Sequence, residues 1–324
     1  MREHLLRILT AFELTRLTMA LGAVSDVWFV ILYTRARPEY AELQICSLPL
    51  WLALTAGLVV AIGLFAYGAS LNDLLDARHD SAFSPQRPIP AGRIRGGQVV
   101  VMAISALMVA ILFSIIMGEA ALILTLMTAT GILFYNAAGK HVPAIGLLTI
   151  GLVHAVHMMI PNHSLEFTIP VWLIMTHAMG IGIAVHILDN KRPMLNAKSV
   201  VILVLGWVAS SALVLGYGWI SAEDGRFWPM ATGIRGIAWP LLAVMGFFMV
   251  VYWKSTRSSG RNLGEKLQRY GAMWQCLYGA AWLLAVDLGR QALLLFVVAI
   301  SGFIVMTLIK EVYGHGTREI SYRG

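Results

Sequence analysis

The sequence predicts an all-α fold, a polytopic transmembrane helical bundle of nine to ten spans. Two observations lead there. First, 58% of the 324 residues are hydrophobic and 13% charged, with a mean hydropathy of +0.74, whereas a soluble domain has roughly 45–50% apolar and about 25% charged residues. That excludes a water-soluble globular protein. Second, apolar stretches of the roughly 20 residues needed by a spanning helix recur from end to end. The chain is therefore not a soluble domain on one anchor, and a single domain over 1–324 is expected.

The N-terminal segment 1–13 is expected to lie on the membrane surface. Leu5, Ile8, Leu9 and Phe12 fall at helical spacing, and Arg2, Glu3, Arg7 and Glu13 interrupt any signal-peptide core. A first span over about 14–34 carries Arg16 near one end and Asp26 within it. Lipid exposure of that carboxylate would cost about 3 kcal/mol or more, so Asp26 is expected to face the bundle interior. The second span, about 48–70, runs into an acidic segment. The third, fourth and fifth, about 97–117, 119–138 and 142–161, follow through very short turns. The sixth is expected at about 167–189, and four more at about 198–219, 237–254, 269–286 and 290–310. Sixteen Met and 30 Gly suit close helix packing. Trp28, Tyr33, Trp228 and Trp239 are expected at the membrane interfaces. Cys46 and Cys276 are too few for a metal cluster and read as ordinary thiols.

A net charge of +7 would suggest nucleic acid in a soluble protein. Here its placement matters more. With ten spans, only Arg35, Arg37, Arg226, Arg235 and Arg290 fall on one side and the other 19 of the 24 Lys and Arg on the opposite side. The basic side is expected to be cytoplasmic, with both termini there, in an integral multi-pass protein of a bacterial inner membrane. No nucleic-acid partner is needed.

Carboxylates are costly near a bilayer, so their clustering is informative. Asn72, Asp73, Asp76 and Asp80 lie at the cytoplasmic end of the second span. If the helix continues at about 100° per residue, Asn72, Asp76, Asp80 and Asp73 fall at about 0°, 40°, 80° and 100°, on one stripe. Such hard oxygen donors suit Mg²⁺, which prefers one or two carboxylates plus substrate phosphates. The loop Ser84 to Arg95 follows, punctuated by Pro and Gly and carrying Arg87, Arg93 and Arg95. Arginine forks match phosphate oxygens, so the two segments together suggest a metal-assisted diphosphate site.

Asn72-Asp73-x-x-Asp76-x-x-x-Asp80, followed by Arg87-Pro88-Ile89-Pro90-Ala91-Gly92, closely resembles the first signature of the UbiA superfamily of intramembrane prenyltransferases. Arg16 resembles its first-helix diphosphate arginine, and Tyr135 to Lys140 its Tyr-x-x-x-x-Lys segment. The resemblance implies an all-helical bundle with a cytoplasmic active-site mouth. It implies Mg²⁺ held by Asn72, Asp76 and Asp80, with Asp73 as direct or outer support, and diphosphate held by Arg16, Arg87, Tyr135 and Lys140. Asp76, Asp80, Tyr135 and Lys140 are the expected catalytic residues. The partners implied are a prenyl diphosphate, an aromatic or other lipophilic acceptor, and membrane lipids.

The superfamily's second acidic motif has aspartates four residues apart at the end of its sixth helix. Here Asp189 is present, but Pro193 and Ala197 stand at the next two positions. Asp189 and Asn190 are expected to contribute to a weakened metal and substrate site, with Lys191 and Arg192 supplying part of its positive charge. Proline is expected to end the helix. His154, His157, His163, His177 and His186 lie in the fifth and sixth spans or between them. They are read as polar packing or cavity lining, with a zinc or iron site as the competing reading. The altered second motif also leaves open a UbiA-like protein that binds or moves a prenyl lipid without turnover. A solute transporter is the third class, without the paired interrupted helices or internal repeat expected of one.

Overall fold

The structure, a computed structural model, describes residues 20–85, 87–191, 193–222, 228 and 234–316. These residues form helices and connecting turns, with no strand among them. The α-helices are α1 (Ala20–Arg35), α2 (Gln44–Ser47), α3 (Leu50–Leu75), α4 (Ala77–Phe83), α5 (Gly96–Met117), α6 (Glu119–Ala137), α7 (Pro143–Met158), α8 (Ile169–Leu188), α9 (Ala197–Ser221), α10 (Ile234–Ser255), α11 (Gly260–Ala285) and α12 (Gly289–Gly316). Without the short α2 and α4, ten remain, and each falls on one of the ten expected spans. Six of these are long and apolar enough to cross a membrane by themselves: α3, α5, α6, α8, α9 and α10. The segment 1–13 and Arg16 lie outside the described residues.

α1, α3, α6, α7, α8 and α11 close a circuit in which each packs on the next, and α1 also meets α7 across it. The other long helices lie outside: α5 against α3 and α6, α9 against α7 and α8, α10 against α11, and α12 against α11 and α1. Burial follows this order. Half of the apolar window of α3 is buried, against 11% in α9 and in α10. An apolar helix that buries so little within the protein needs lipid around it. Hence Leu213, Ile220, Phe248 and Met249 are exposed.

Small residues set the close crossings. A Cβ on Gly63 in α3 would lie 2.8 Å from the Ala106 carbonyl oxygen of α5. A Cβ on Gly22 in α1 would strike the Ala272 carbonyl and the Gln275 side chain of α11. Close backbone approach of this kind replaces the hydrophobic drive that lipid cannot supply between helices.

Three expectations change. α11 begins at Gly260, nine residues before the expected span, because Leu263, Gly264 and Leu267 already pack inward from a polar, basic first section. Trp28 and Tyr33 face neighbouring helices and not lipid. Trp28 Nε1 donates to the Leu54 carbonyl of α3 at 2.8 Å, and Tyr33 is 3% exposed, packed between Phe29, Tyr40 and Phe167. Trp228 is also turned inward, against Phe167 and Trp282, whereas Trp239 remains exposed. Asp26 is 2% exposed, as expected for a carboxylate that avoids lipid.

Candidate active site

The acidic stripe forms at the end of α3, but not on one unbroken helix. α3 ends at Leu75 and α4 starts at Ala77, with Asp76 between them at φ −87°, ψ −3°. Two i,i+4 backbone bonds survive across the break: the Asp76 N–H donates to the Asn72 carbonyl at 3.0 Å, and the Asp80 N–H to the Asp76 carbonyl at 2.8 Å. The stripe therefore keeps approximately helical spacing while the axis is interrupted at its middle carboxylate. Asp73 and Asp80 are buried, Asn72 and Asp76 half-buried.

The loop after α4 returns a cation to the two buried carboxylates. Its turn is closed by the Pro88 carbonyl, which accepts from the Arg93 and Ile94 N–H groups at 3.0 and 3.4 Å. Gly92 sits there at φ +69°, a conformation open to glycine but strained for most residues. Arg87, at the base of the turn, donates from one nitrogen, Nη1, to Asp80 Oδ2 at 2.9 Å and Asp73 Oδ1 at 3.3 Å. Two carboxylates thus converge on one point of positive charge.

The third carboxylate has a different partner. After α6, a 3₁₀ turn over Gly139–His141 places the Lys140 Nζ 2.5 Å from Asp76 Oδ1. The turn fits there because Gly139 and Gly146 let the start of α7 approach closely: a Cβ on Gly146 would lie 2.7 Å from the Gly139 carbonyl oxygen. Tyr135, just over one turn before Lys140, is half-buried in α6. The structure thus joins Asp73, Asp80 and Arg87, and separately Asp76 and Lys140, which are 64 positions apart in sequence.

The second acidic position is built otherwise. α8 ends before Pro193 is reached. The Lys191 N–H bonds the His186 carbonyl and the Asn190 N–H the Ile187 carbonyl, both at 3.1 Å, and Asn190 has φ +52°. This is a Schellman ending with asparagine in the left-handed position, a common stop for a helix. Proline comes after the stop and does not cause it. Asp189 Oδ2 lies 3.6 Å from Lys191 Nζ, as expected for a partly neutralised acid, while its buried Oδ1 has no hydrogen-bond partner. Arg192 lies outside the described residues. Sequence reading missed Gly264 of α11: a Cβ there would lie 2.7 Å from Asp189 Oδ1, so glycine makes room for the carboxylate. No local signal could have found a contact between positions so far apart.

Among the described residues no three His, Cys, Asp or Glu side chains are grouped so as to hold a metal ion. His177 of α8 bonds the Gly271 carbonyl at 3.0 Å and meets the Tyr278 hydroxyl at 3.4 Å, both on α11, whereas the buried His157 ring has no hydrogen-bond partner on either nitrogen. His186 bonds the Pro193 carbonyl at 3.0 Å. The first site nevertheless fits a Mg²⁺ ion of the sort completed by substrate phosphates, which needs only one or two protein carboxylates. Arg87 Nη1 already stands as a cation between Asp73 and Asp80, so a cation between them is compatible with the fold.

The UbiA prenyltransferase family model matches residues 40–277. A digeranylgeranylglyceryl phosphate synthase of Sulfurisphaera tokodaii is 28% identical over 144 residues, 44% of this chain and 48% of that protein. Its counterpart from Saccharolobus solfataricus is 34% identical over 77 residues, 24% of this chain and 27% of that protein. The alignments thus span about half the length of the first relative and about a quarter of the second. A solved chain from work on digeranylgeranylglyceryl phosphate synthase in membranes superposes with a TM-score of 0.54, at 17% identity, over 87% of this chain and 99% of that one. That likeness is one of fold.

Proposed function

The chain belongs to the UbiA prenyltransferase family, and on that premise we propose that it is an intramembrane prenyltransferase acting on a prenyl diphosphate and a lipophilic acceptor. The observation that carries this reading is the convergence of Arg87 and Lys140, from two different connections, on three aspartates at one end of the bundle. An acidic patch alone would attract only cations. With two cations held against it, the site suits a metal and an anionic leaving group together.

Asp73 and Asp80, with Asn72 and Asp76, are the residues that would hold Mg²⁺, with Asp189 beside α11 as a further candidate. The ion supplies charge neutralisation of the diphosphate. Arg87 and Lys140 exchange their carboxylate partners for phosphate oxygens, and Arg16, Tyr135, Asn190, Lys191 and Arg192 are candidates for the remaining contacts. The prenyl tail lies among the apolar helices, which keep water from the reacting carbon. The allylic C–O bond breaks with its electron pair leaving on the diphosphate, where Lys140 and Arg87 stabilise the developing charge. An aromatic carbon or hydroxyl oxygen of the acceptor donates the pair for the new bond and then loses its proton. The names of the two relatives make a glyceryl phosphate lipid the first acceptor to try. The predominance of basic residues at this end supports a mouth facing the cytoplasm.

The test is to place the purified chain in lipid nanodiscs with Mg²⁺, labelled prenyl diphosphates of several lengths, and acceptors including a glyceryl phosphate lipid and aromatic acids. Transfer of label to an acceptor is expected, falling at least about a hundredfold in Asp76→Ala. No transfer and no diphosphate release under any condition, or an unchanged rate in Asp76→Ala, would sink the reading.

A further inference from the structure

A second charged site lies away from the aspartates. At the junction of α10 and α11, Arg257, Ser258, Ser259, Asn262, Glu265, Lys266 and Arg269 line a cleft of about 520 Å³. The side chains come from the connection after α10 and from one face of α11, where 262, 265, 266 and 269 follow i, i+3, i+4, i+7 spacing. The opposite face of the same helix carries Gly264, which packs toward Asp189. One amphipathic segment therefore divides the site described above from a cleft on its outer side, at the same end of the bundle.

Among the described residues the cations of this cleft are not paired with carboxylates. Glu265, its one acid, is paired with Arg261 at 3.4 Å, outside the lining. Lys266 donates to the Ser258 hydroxyl, and Arg269 Nε to the Glu265 carbonyl at 3.2 Å. The Arg257 guanidinium rests over the Trp253 ring at 4.8 Å. None of Arg257, Lys266 and Arg269 is paired with a carboxylate among the described residues. Three cations, two hydroxyls and an amide around one hollow match the oxygens of a phosphate group.

The surroundings indicate which phosphate. The cleft begins where the apolar span Gly236–Ser255 ends. Tyr252 is 73% exposed and Trp253 45% exposed beside it, and the Lys254 ammonium lies over the rings of Trp253 and Tyr270 at 4.1 and 4.6 Å. Exposed aromatics with basic neighbours at a span end mark the headgroup layer. We propose that this cleft binds the phosphate of a lipid headgroup, holding an anionic lipid against the outer side of α11. A phosphate that diffuses in from water would use the same cations, and the test separates the two.

The full chain, purified in detergent, is titrated with phosphatidylglycerol, with inorganic phosphate and with phosphatidylcholine, and bound species are counted by native mass spectrometry. The variants are Arg257→Gln/Lys266→Gln/Arg269→Gln and, as a single loss of the same charge at the other end of the bundle, Arg290→Gln. A milder pair, Arg257→Lys/Arg269→Lys, keeps the charge and loses only the guanidinium forks. The expected result is one retained phosphatidylglycerol that dissociates at least about tenfold more readily in the triple variant. It should be unchanged in Arg290→Gln and intermediate in the lysine pair. Inorganic phosphate bound in its place, with the same variant pattern, supports the phosphate site but overturns its assignment to a headgroup. Equal retention in the triple variant and the native chain, or equal binding of phosphatidylcholine, overturns the site.

Discussion

Replacing Arg87 with Met leaves Asp73 and Asp80 without their shared cation. Their side chains are 9% and 7% exposed, and Arg87 itself is 29% exposed, so water can only partly take over its role. At an effective dielectric of about 20, contacts of 2.9 and 3.3 Å are each worth about 5–6 kcal/mol before desolvation. Removing one partner of a buried pair costs about 3–5 kcal/mol net. Arg87→Met is therefore expected to unfold earlier than the native chain in detergent with EDTA, by about 3 kcal/mol or more. If Arg87 Nη1 stands where a divalent cation fits, Mg²⁺ should reverse much of that loss. An ion at a hundred times its Kd contributes about 2.7 kcal/mol. The native chain should gain less, because Arg87 must first be displaced. The assay is thermal unfolding of both proteins across a Mg²⁺ series at constant ionic strength. The triple change Arg87→Met/Asp73→Asn/Asp80→Asn should regain stability without Mg²⁺, since it removes the two buried negative charges that Arg87 balances. Equal stability of Arg87→Met and the native chain in EDTA would refute the argument. So would a Mg²⁺ gain of the same size in both.

Gly22→Leu should separate α1 from α11, because even a Cβ at that position meets the Ala272 backbone carbonyl. A loss of about 3 kcal/mol or more in unfolding is expected, and a native melting curve would contradict the close crossing. Burial raises the Cys46 thiol above its ordinary range, with Arg35 acting in the opposite direction. A raised value means less thiolate at a given pH, so alkylation at pH 8 should be slower than that of a free thiol and should still climb above pH 9. Cys276 is 1% exposed and should not contribute to the signal. A rate already level at pH 8 would show the Cys46 shift to be absent.

Much of the active-site end was legible because its chemistry is local in sequence. Asn72 to Asp80 and Arg87 to Gly92 lie within 21 residues, and the structure does bring Arg87 to Asp73 and Asp80. Lys140 could be linked to this end only by resemblance; its bond to Asp76 exists because α6 packs on α3. The ending of α8 was misread for a physical reason. Proline is a conspicuous helix breaker, but a left-handed Asn190 had already stopped the helix three residues earlier. Residue type alone does not show that Trp28 and Tyr33 turn toward protein; they do so because α1 is surrounded by α3, α7, α11 and α12 and leaves little lipid-facing surface.

The sequence by itself determined that the chain is a bundle of long apolar helices, their approximate places, and the sites of scarce charge. Apolar run length and the cost of carboxylates near lipid are properties of short segments, so they survive without knowledge of the neighbours. Only the tertiary structure decided which helices form the inner circuit, which cation meets which aspartate, and that Gly264 shelters Asp189. It also separated the two faces of α11, one packed toward the site and one opening a basic cleft to the headgroup layer. Those outcomes depend on steric fit between different segments of the chain, and a crossing fixed by one missing Cβ leaves no periodic trace in either segment.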